Sequence, residues 1–182
     1  MTARADHRPA KRVAETVTVL SELMMPNAAN FAGFVHGGYV LGLVDRAAFV
    51  CASRFAEALT ITAAIDRVDF LQPIRVGELV TLTAQVNYAG RSSMEIGIVV
   101  TSEDLRTRQI RHTNYCLVTM VAVDSRLRPV PAPRLLCETP EERRRYRAGE
   151  ARRAAAKQAL NTKRTQPVPL VPGTEGTGTD SR

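Results

Sequence analysis

The stretch NFAGFVHGGYVLGLVDRAAFVCASRFA, residues 30–56, decides the fold of this chain. After the glycines at positions 37 and 38, about twenty residues run without proline and with only one further glycine, Gly42. Apolar side chains occur around nearly the whole circumference that a 3.6-residue period gives them. The pattern predicts a long helix that follows His36 and is buried on most of its sides.

One carboxylate, Asp45, lies inside this apolar helix, with Val44 before it and an apolar run from Ala47 to Val50 soon after it. A charge in apolar surroundings is costly unless it is paired or serves a function. Asp45 is therefore either a structural carboxylate paired with an arginine such as Arg54 or Arg91, or a group that takes part in a reaction.

Strand patterns surround the helix and are joined by short connections. The predicted strands are VAETVTVL from Val13, ITAAIDRVDFLQP ending at Pro73, the alternating row Val80 to Tyr88, the row Met94 to Val100, and Gln109 to about Val123. Apolar residues at every second position are typical of half-buried strands, and short connections indicate antiparallel neighbours. The sequence predicts an α+β fold, in which a curved antiparallel sheet wraps one long central helix.

The two ends of the chain lack this patterning. We expect a disordered arm over residues 1–12, the folded domain over 13–127, and a disordered low-complexity tail over 161–182. Between them, residues 128–160 form a proline-rich edge and a polar helix that starts at Pro140. The face of that helix is too polar to need burial against the core.

The formal charge of +7 belongs to these ends, because residues 13–136 carry eleven basic and eleven acidic side chains. A DNA-reading domain would keep its positive field on the folded part, so nucleic acid is not an expected partner. Cys51, Cys116 and Cys137 lack the spacing of a disulfide framework or a zinc site. With no signal-like N-terminus and no apolar run of about 18 residues, we expect a cytoplasmic protein without membrane contact.

Four motifs in this order, NFAGFVHGG, the following Asp45, DRVDFLQPIRVGE and GRSSMEI, resemble the hotdog-fold acyl-CoA hydrolases of the cytosolic acyl-CoA thioesterase type. The resemblance covers about residues 15–125. It implies a single hotdog domain, with the helix as the sausage and the sheet as the bun, that hydrolyses fatty acyl-CoA to free fatty acid and coenzyme A. We expect no metal and no organic cofactor, coenzyme A being part of the substrate. The resemblance also implies self-association as a homodimer, with trimers of dimers common in the family.

The start of the helix suits thioester chemistry. Gly37 and Gly38 leave backbone N–H groups unpaired at the positive end of the helix dipole, where a thioester oxyanion would be held. Asp45 lies eight residues beyond Gly37, roughly 12 Å along the axis, so one helix cannot hold both sides of one carbonyl. Two helices antiparallel across a two-fold axis would bring Gly37 of one chain to Asp45 of the other, which gives two shared sites per dimer.

The resemblance implies the same layout and adds Asn30, from the loop before the helix, as the side chain that orients the carbonyl or the attacking water. Whether Asp45 is a nucleophile or a general base stays open. The cation and hydroxyls of the GRSS turn suit coenzyme A phosphates, and the resemblance places RVDF along the pantetheine channel. The expected coenzyme A contacts are Arg91, Ser92, Ser93, Val68 and Phe70.

Each of these residues also has a purely structural interpretation. Asn30 could form an Asx turn, His36 could cap the helix rather than act in catalysis, GRSS could be a hairpin turn, and RVDF could be strand packing. The aromatic residues that line an acyl tunnel or belong to the core are Phe31, Phe34, Tyr39 and Phe49. Two other functions stay open: a hotdog hydratase or dehydratase that uses His36 with a carboxylate, and a non-catalytic module that binds acyl-CoA.

Overall fold

The structure, a computed structural model, describes residues 7–165, which form two α-helices and seven strands. Contacts divide the chain into two units, residues 1–150 and residues 151–182. The described part of the second unit, residues 151–165, is helical. The disorder predicted for residues 1–6 and 166–182 lies outside the described residues.

The long helix α1 spans Gly37–Ala56, as predicted. Its core face carries Val40, Leu43, Val44 and Ala47, all buried, and packs against the sheet. Its opposite face is open, because Phe49 is 42% exposed and a Cβ added to Gly42 would meet nothing within 4 Å. The expectation of burial on most sides is therefore wrong for the single chain.

The main sheet has five strands in the order β2-β4-β5-β6-β3, and all neighbours are antiparallel. The strands are β2 Thr18–Leu23, β3 Leu59–Phe70, β4 Glu78–Ala89, β5 Ser93–Asp104 and β6 Gln109–Val123. The buried rows of β4, β5 and β6 form the core with α1. This arrangement confirms the α+β hotdog fold, with the helix against a single antiparallel sheet.

One edge of this sheet is long and apolar. Strand β3 has 12 residues, pairs with β6 alone among residues 7–165, and leaves Leu59, Ile61 and Ile65 each at least 40% exposed. Its register shifts between Thr62 and Ala64 and again between Ile65 and Arg67. An exposed edge strand this long and this apolar normally pairs with another chain or is covered by another part of the protein.

The segment before β2 differs from the prediction. Val13–Thr16 is a 3-10 helix rather than the start of a strand, because the buried Thr16 hydroxyl donates to Val13 O and accepts from Val86 N. Residues Ala10–Arg12 form β1, which pairs in parallel with β7, Arg134–Leu136. The expected disordered arm is wrong for these three residues, since Lys11 also donates to the last carbonyls of α1.

The second helix, α2, spans Pro140–Thr165, beginning at Pro140 as expected. Its first turns pack against the core, where the Tyr146 ring meets the Tyr88 ring edge-on with centroids 5.0 Å apart. Gly149 is buried, and a Cβ there would lie 2.7 Å from Tyr88 Cβ. The prediction that this helix needs no burial is wrong here, because one aromatic residue and one glycine suffice to dock it. Neither helix of the described region has the length and apolar character needed to cross a bilayer.

Candidate active site

A cavity of about 320 Å³ lies at the start of α1. Its walls come from two segments, residues 30–40 before and within α1 and residues 70–74, which begin at the last residue of β3. The lining residues are Asn30, Phe34, Val35, Gly37, Val40, Phe70, Leu71, Gln72, Pro73 and Ile74. The structure therefore brings Asn30, Gly37 and Phe70 together, as predicted from sequence, while Asp45 of the same chain does not line this cavity.

The loop before α1 is folded by Asn30 itself. Its side-chain oxygen accepts from Ala32 N at 2.9 Å and from Phe34 N at 3.2 Å, while Gly33 takes a positive φ of 79°. The two donors require the amide oxygen at this position, which fixes the orientation of the amide. Its NH₂ group has no partner among the described residues. The structural interpretation and the functional one are thus compatible, since one end of the amide builds the loop and the other remains a donor.

The two glycines at the helix start differ. His36 is the N-cap of α1, and its Nδ1 accepts from Gly38 N at 2.9 Å. The Gly37 N–H has no partner in the described part of the chain and borders the cavity. A Cβ at Gly37 would lie 3.4 Å from the Phe70 ring, in van der Waals contact with another residue that lines the cavity. Of the two amides, that of Gly37 is therefore the one left free, within residues 7–165, to donate to a bound group.

His36 caps the helix, as one of its two interpretations predicted. The ring is exposed, and no carboxylate within residues 7–165 contacts it. A hydratase that pairs this histidine with an acid gains no support from this geometry.

Asp45 is half-buried and accepts a hydrogen bond of 2.6 Å from the Thr62 hydroxyl on β3. Among the described residues, no arginine pairs with it, which removes the support for a structural pair with Arg54 or Arg91. Sequence reasoning did not single out Thr62. The only signal was its place in the strand segment that faces Asp45, and that placement depends on how β3 packs against α1.

The GRSS turn does not reach the cavity of its own chain. Phe70 pairs with Asn114 at the cavity end of β6, whereas Ser93 pairs with Val121, seven residues and roughly 23 Å further along. Ser93 is 6% exposed, and Arg91 O accepts from Ala132 N. The coenzyme A contacts expected from Arg91, Ser92 and Ser93 stay a prediction, one that would need another subunit.

The remaining expected contacts divide between cavity, core and surface. Phe70 lines the cavity, and Val68 packs against the core instead. Of the four aromatic residues, Phe34 alone is among the lining residues. Phe31 is fully exposed, Phe49 lies on the open face of α1, and Tyr39 donates to Glu22, a bond that raises the pKa of Tyr39.

The buried thiols are poor nucleophiles at neutral pH. Burial raises the pKa of Cys51 to about 12 and that of Cys116 to about 11. Neither lines the cavity. Within the described residues, no three His, Cys, Asp or Glu side chains gather in a group that could hold a metal ion.

Comparisons with known proteins agree with this geometry. Residues 32–108 match the family model of the thioesterase superfamily. Protein VdlD of Helicobacter pylori is 44% identical over 131 residues, 72% of this chain and 75% of that protein. The cytosolic acyl coenzyme A thioester hydrolase of Rattus norvegicus is 29% identical over 82% of this chain, which spans 40% of that longer protein.

Two solved structures share the fold over nearly their full length. An apo-hexameric acyl-CoA thioesterase is 34% identical with a TM-score of 0.79, over 84% of this chain and 97% of that one. The acyl-CoA hydrolase of Staphylococcus aureus, solved with butyryl coenzyme A, coenzyme A and coenzyme A disulfide, is 28% identical with a TM-score of 0.73, over 86% and 99%.

The Staphylococcus aureus hydrolase was also solved with alanine in place of an asparagine, an aspartate or a threonine. In that chain the asparagine precedes the aspartate by 15 residues, and the aspartate precedes the threonine by 17. Asn30, Asp45 and Thr62 have the same two separations here. The three positions chosen in that hydrolase therefore match, in type and spacing, the three polar side chains described above.

Proposed function

The chain belongs to the hotdog-fold acyl-CoA thioester hydrolases, and we propose that it cleaves fatty acyl-CoA to free fatty acid and coenzyme A at two sites shared across a homodimer. One observation supports the proposal that the site is shared between two subunits. The cavity holds the unpartnered Gly37 N–H and the Asn30 amide, whereas Asp45 lies about 12 Å along the same helix and outside the cavity. A second chain is needed to complete the site.

In this proposal the thioester carbonyl enters the cavity with its oxygen towards the Gly37 N–H. The amide sits at the positive end of a 20-residue helix, so it polarises the carbonyl and stabilises the oxyanion that forms on attack. The Asn30 NH₂ group orients the carbonyl or the attacking water by donating a hydrogen bond to it. Both donors are held in place before substrate arrives, one by the helix and one by the loop that Asn30 folds.

The carboxylate of Asp45 of the partner subunit supplies the remaining chemistry by one of two routes. As a general base it takes a proton from water while the water oxygen bonds to the carbonyl carbon. As a nucleophile it bonds to that carbon itself and forms an acyl-aspartyl anhydride, which water then hydrolyses. In both routes the carbon–sulfur bond breaks, coenzyme A leaves as a thiolate that takes up a proton, and Asp45 is regenerated.

The surfaces of the chain support such a dimer. The open face of α1 carries Gly42 and Phe49, with Asp45 half-buried beside them, and Gly42 allows a second helix to approach closely. The apolar edge strand β3 lies next to Asp45, because the Thr62 hydroxyl on this strand donates to the Asp45 carboxylate. Pairing of two β3 edges would cover both features at once.

We propose that dimers assemble further into trimers of dimers, because a similar thioesterase is hexameric. The cytosol is the proposed compartment, supported by the cytosolic hydrolase of rat. The proposed reaction uses no metal and no organic cofactor, since an amide dipole, a side-chain amide and a carboxylate supply polarisation and proton transfer. Treatment with a chelator should leave the rate unchanged.

The experiment is a series of hydrolysis rates on acyl-CoAs of increasing chain length, followed as release of free thiol, with Asp45→Asn beside the wild type. Asparagine keeps the acceptor for Thr62 and removes only the charge, so turnover should fall about 10²-fold or more. Asp66→Asn is the matched control, because Asp66 also accepts from a threonine hydroxyl, Thr119, at an exposed site. Hydration of an enoyl-CoA without release of thiol, or near-normal turnover by Asp45→Asn, would contradict the proposal.

A further inference from the structure

The wall segment, residues 71–75, lines the cavity from Leu71 to Ile74 and lies outside the helices and strands, with one isolated β-bridge between Arg75 and Phe34. It is held to the rest of the domain at a few points. Leu71 N donates to Thr113 O at 2.8 Å, and Val35 N donates to Ile74 O at 2.9 Å. The second bond joins this wall directly to the segment that leads into His36 and Gly37. This bond links the position of the wall to that of the loop between Asn30 and the start of α1.

An ion pair between the buried Glu78 and the largely buried Arg111 contacts this wall. Glu78, the first residue of β4, is 4% exposed, and its Oε1 accepts from Arg111 Nη2 at 2.6 Å. Its other oxygen accepts from Ser102 Oγ and from Arg75 N, the latter at 3.1 Å. The carboxylate thus ties the end of the wall, Arg75, to β5 and β6.

Arg111 acts on the middle of the wall through its second terminal nitrogen. Its Nη1 donates to Gln72 Oε1 at 3.2 Å and to Pro73 O at 3.3 Å. A guanidinium offers these donors in a rigid plane while it remains bound to Glu78, which a lysine ammonium cannot reproduce. One cation therefore fixes two consecutive wall residues relative to a buried anion.

We propose that Glu78 and Arg111 are positioning residues for the active site: they set the wall at residues 72–75 and, through Ile74 and Val35, the position of Asn30 and Gly37. The inference rests on the proposed thioesterase function for its kinetic readout. Neither residue borders the cavity, so neither touches substrate. Their effect on the rate is geometric, since a displacement of about 1 Å at reacting groups can cost up to about 10²-fold.

The test uses Arg111→Lys and Arg111→Gln, with Arg108→Gln as a matched control. Arg108 precedes the same strand and pairs with Glu103 at 3.2 Å, with a largely exposed side chain away from the cavity. Arg111→Lys keeps an ion pair with Glu78 and loses the fork to Gln72 and Pro73, so we expect kcat/KM about tenfold lower with little change in melting temperature. Arg111→Gln should lose more, and Arg108→Gln should stay within twofold of wild type.

A second readout does not depend on activity. Hydrogen exchange at the Val35 and Arg75 amides should be faster in both Arg111 variants and unchanged in Arg108→Gln. If wild-type protein releases no thiol, the proposed function fails, while the exchange rates still test the positioning role. Wild-type kcat/KM in folded Arg111→Lys and Arg111→Gln, or unchanged exchange at both amides, would overturn the inference.

Discussion

Mixing two inactive variants tests whether the active site is shared between subunits. Asp45→Asn keeps the acceptor for Thr62 and loses the charge, so it should lose about 10²-fold in rate. Asn30→Asp keeps an oxygen for the two N–H donors of its loop, removes the NH₂ donor and adds a negative charge beside the oxyanion, for a loss of about 10²- to 10³-fold. Each variant alone should be nearly inactive.

In a mixed dimer the two substitutions fall in the same site and leave the other site intact. Random association of equal amounts makes half of the dimers mixed, each with one working site of two, so the mixture should recover about a quarter of wild-type activity. The assay is thiol release after the two chains are unfolded, mixed and refolded together, with each variant refolded alone as the baseline.

A third variant supplies the control. Gly37→Val fills the space beside the Gly37 amide, because its Cβ would lie 3.4 Å from the Phe70 ring and its two methyl groups extend beyond that contact. It belongs to the same half of the site as Asn30, so its mixture with Asn30→Asp should recover nothing. Recovery in that mixture, or no recovery with Asp45→Asn, would refute the reasoning that each site draws on two chains.

Three further predictions concern single groups. Thr62→Val removes the hydroxyl that holds the Asp45 carboxylate, and kcat should fall about tenfold or more in steady-state assays, because a hydrogen bond to a charged group contributes about 1.5–3 kcal/mol; an unchanged kcat would show that the bond is not needed. His36→Ala removes the N-cap of α1 and should lower the free energy of unfolding in urea by about 1 kcal/mol, with His36→Asn restoring most of it; equal losses in both variants would argue against capping. Burial raises the pKa of Cys51 to about 12 and of Cys116 to about 11, against 9.0 for an unperturbed thiol, so the folded state binds more protons than the unfolded state above pH 9. The free energy of unfolding should therefore fall as pH rises from about 9 towards 11, and rising stability across that range would contradict the assignment.

The central architecture was predictable because its signals are local. Two glycines followed by an apolar run specify a helix over Gly37–Ala56, and the period-two rows from Val80 and from Met94 specify β4 and β5. The site residues Asn30 and Gly37 followed from the same segment, since a loop and the helix start after it must lie together. The proposal that a second chain completes the site also comes from sequence, through the length of helix between Gly37 and Asp45, and it stays a prediction.

The features that sequence reasoning missed depend on contacts between distant segments. Thr62 gains its role only from the packing of β3 against α1, and the pairing of β1 with β7 joins residues from opposite ends of the domain. The Val13–Thr16 helix imitates a strand pattern because two of its residues, Val13 and Thr16, are buried for tertiary reasons. The cavity wall at residues 71–75 has no periodic pattern at all, and its form comes from Glu78 and Arg111.

The exposed edge of β3 has a consequence for how the protein is handled. A lone subunit presents a long apolar edge strand whose outer side pairs with no other strand of residues 7–165, which is a template for irreversible association as well as for the proposed dimer. Folding and assembly are then one equilibrium, and the melting temperature carries a dependence on protein concentration. With the site shared as proposed, dilution would weaken the enzyme twice, because it separates the two chains of each catalytic centre and uncovers the surface that leads to precipitation.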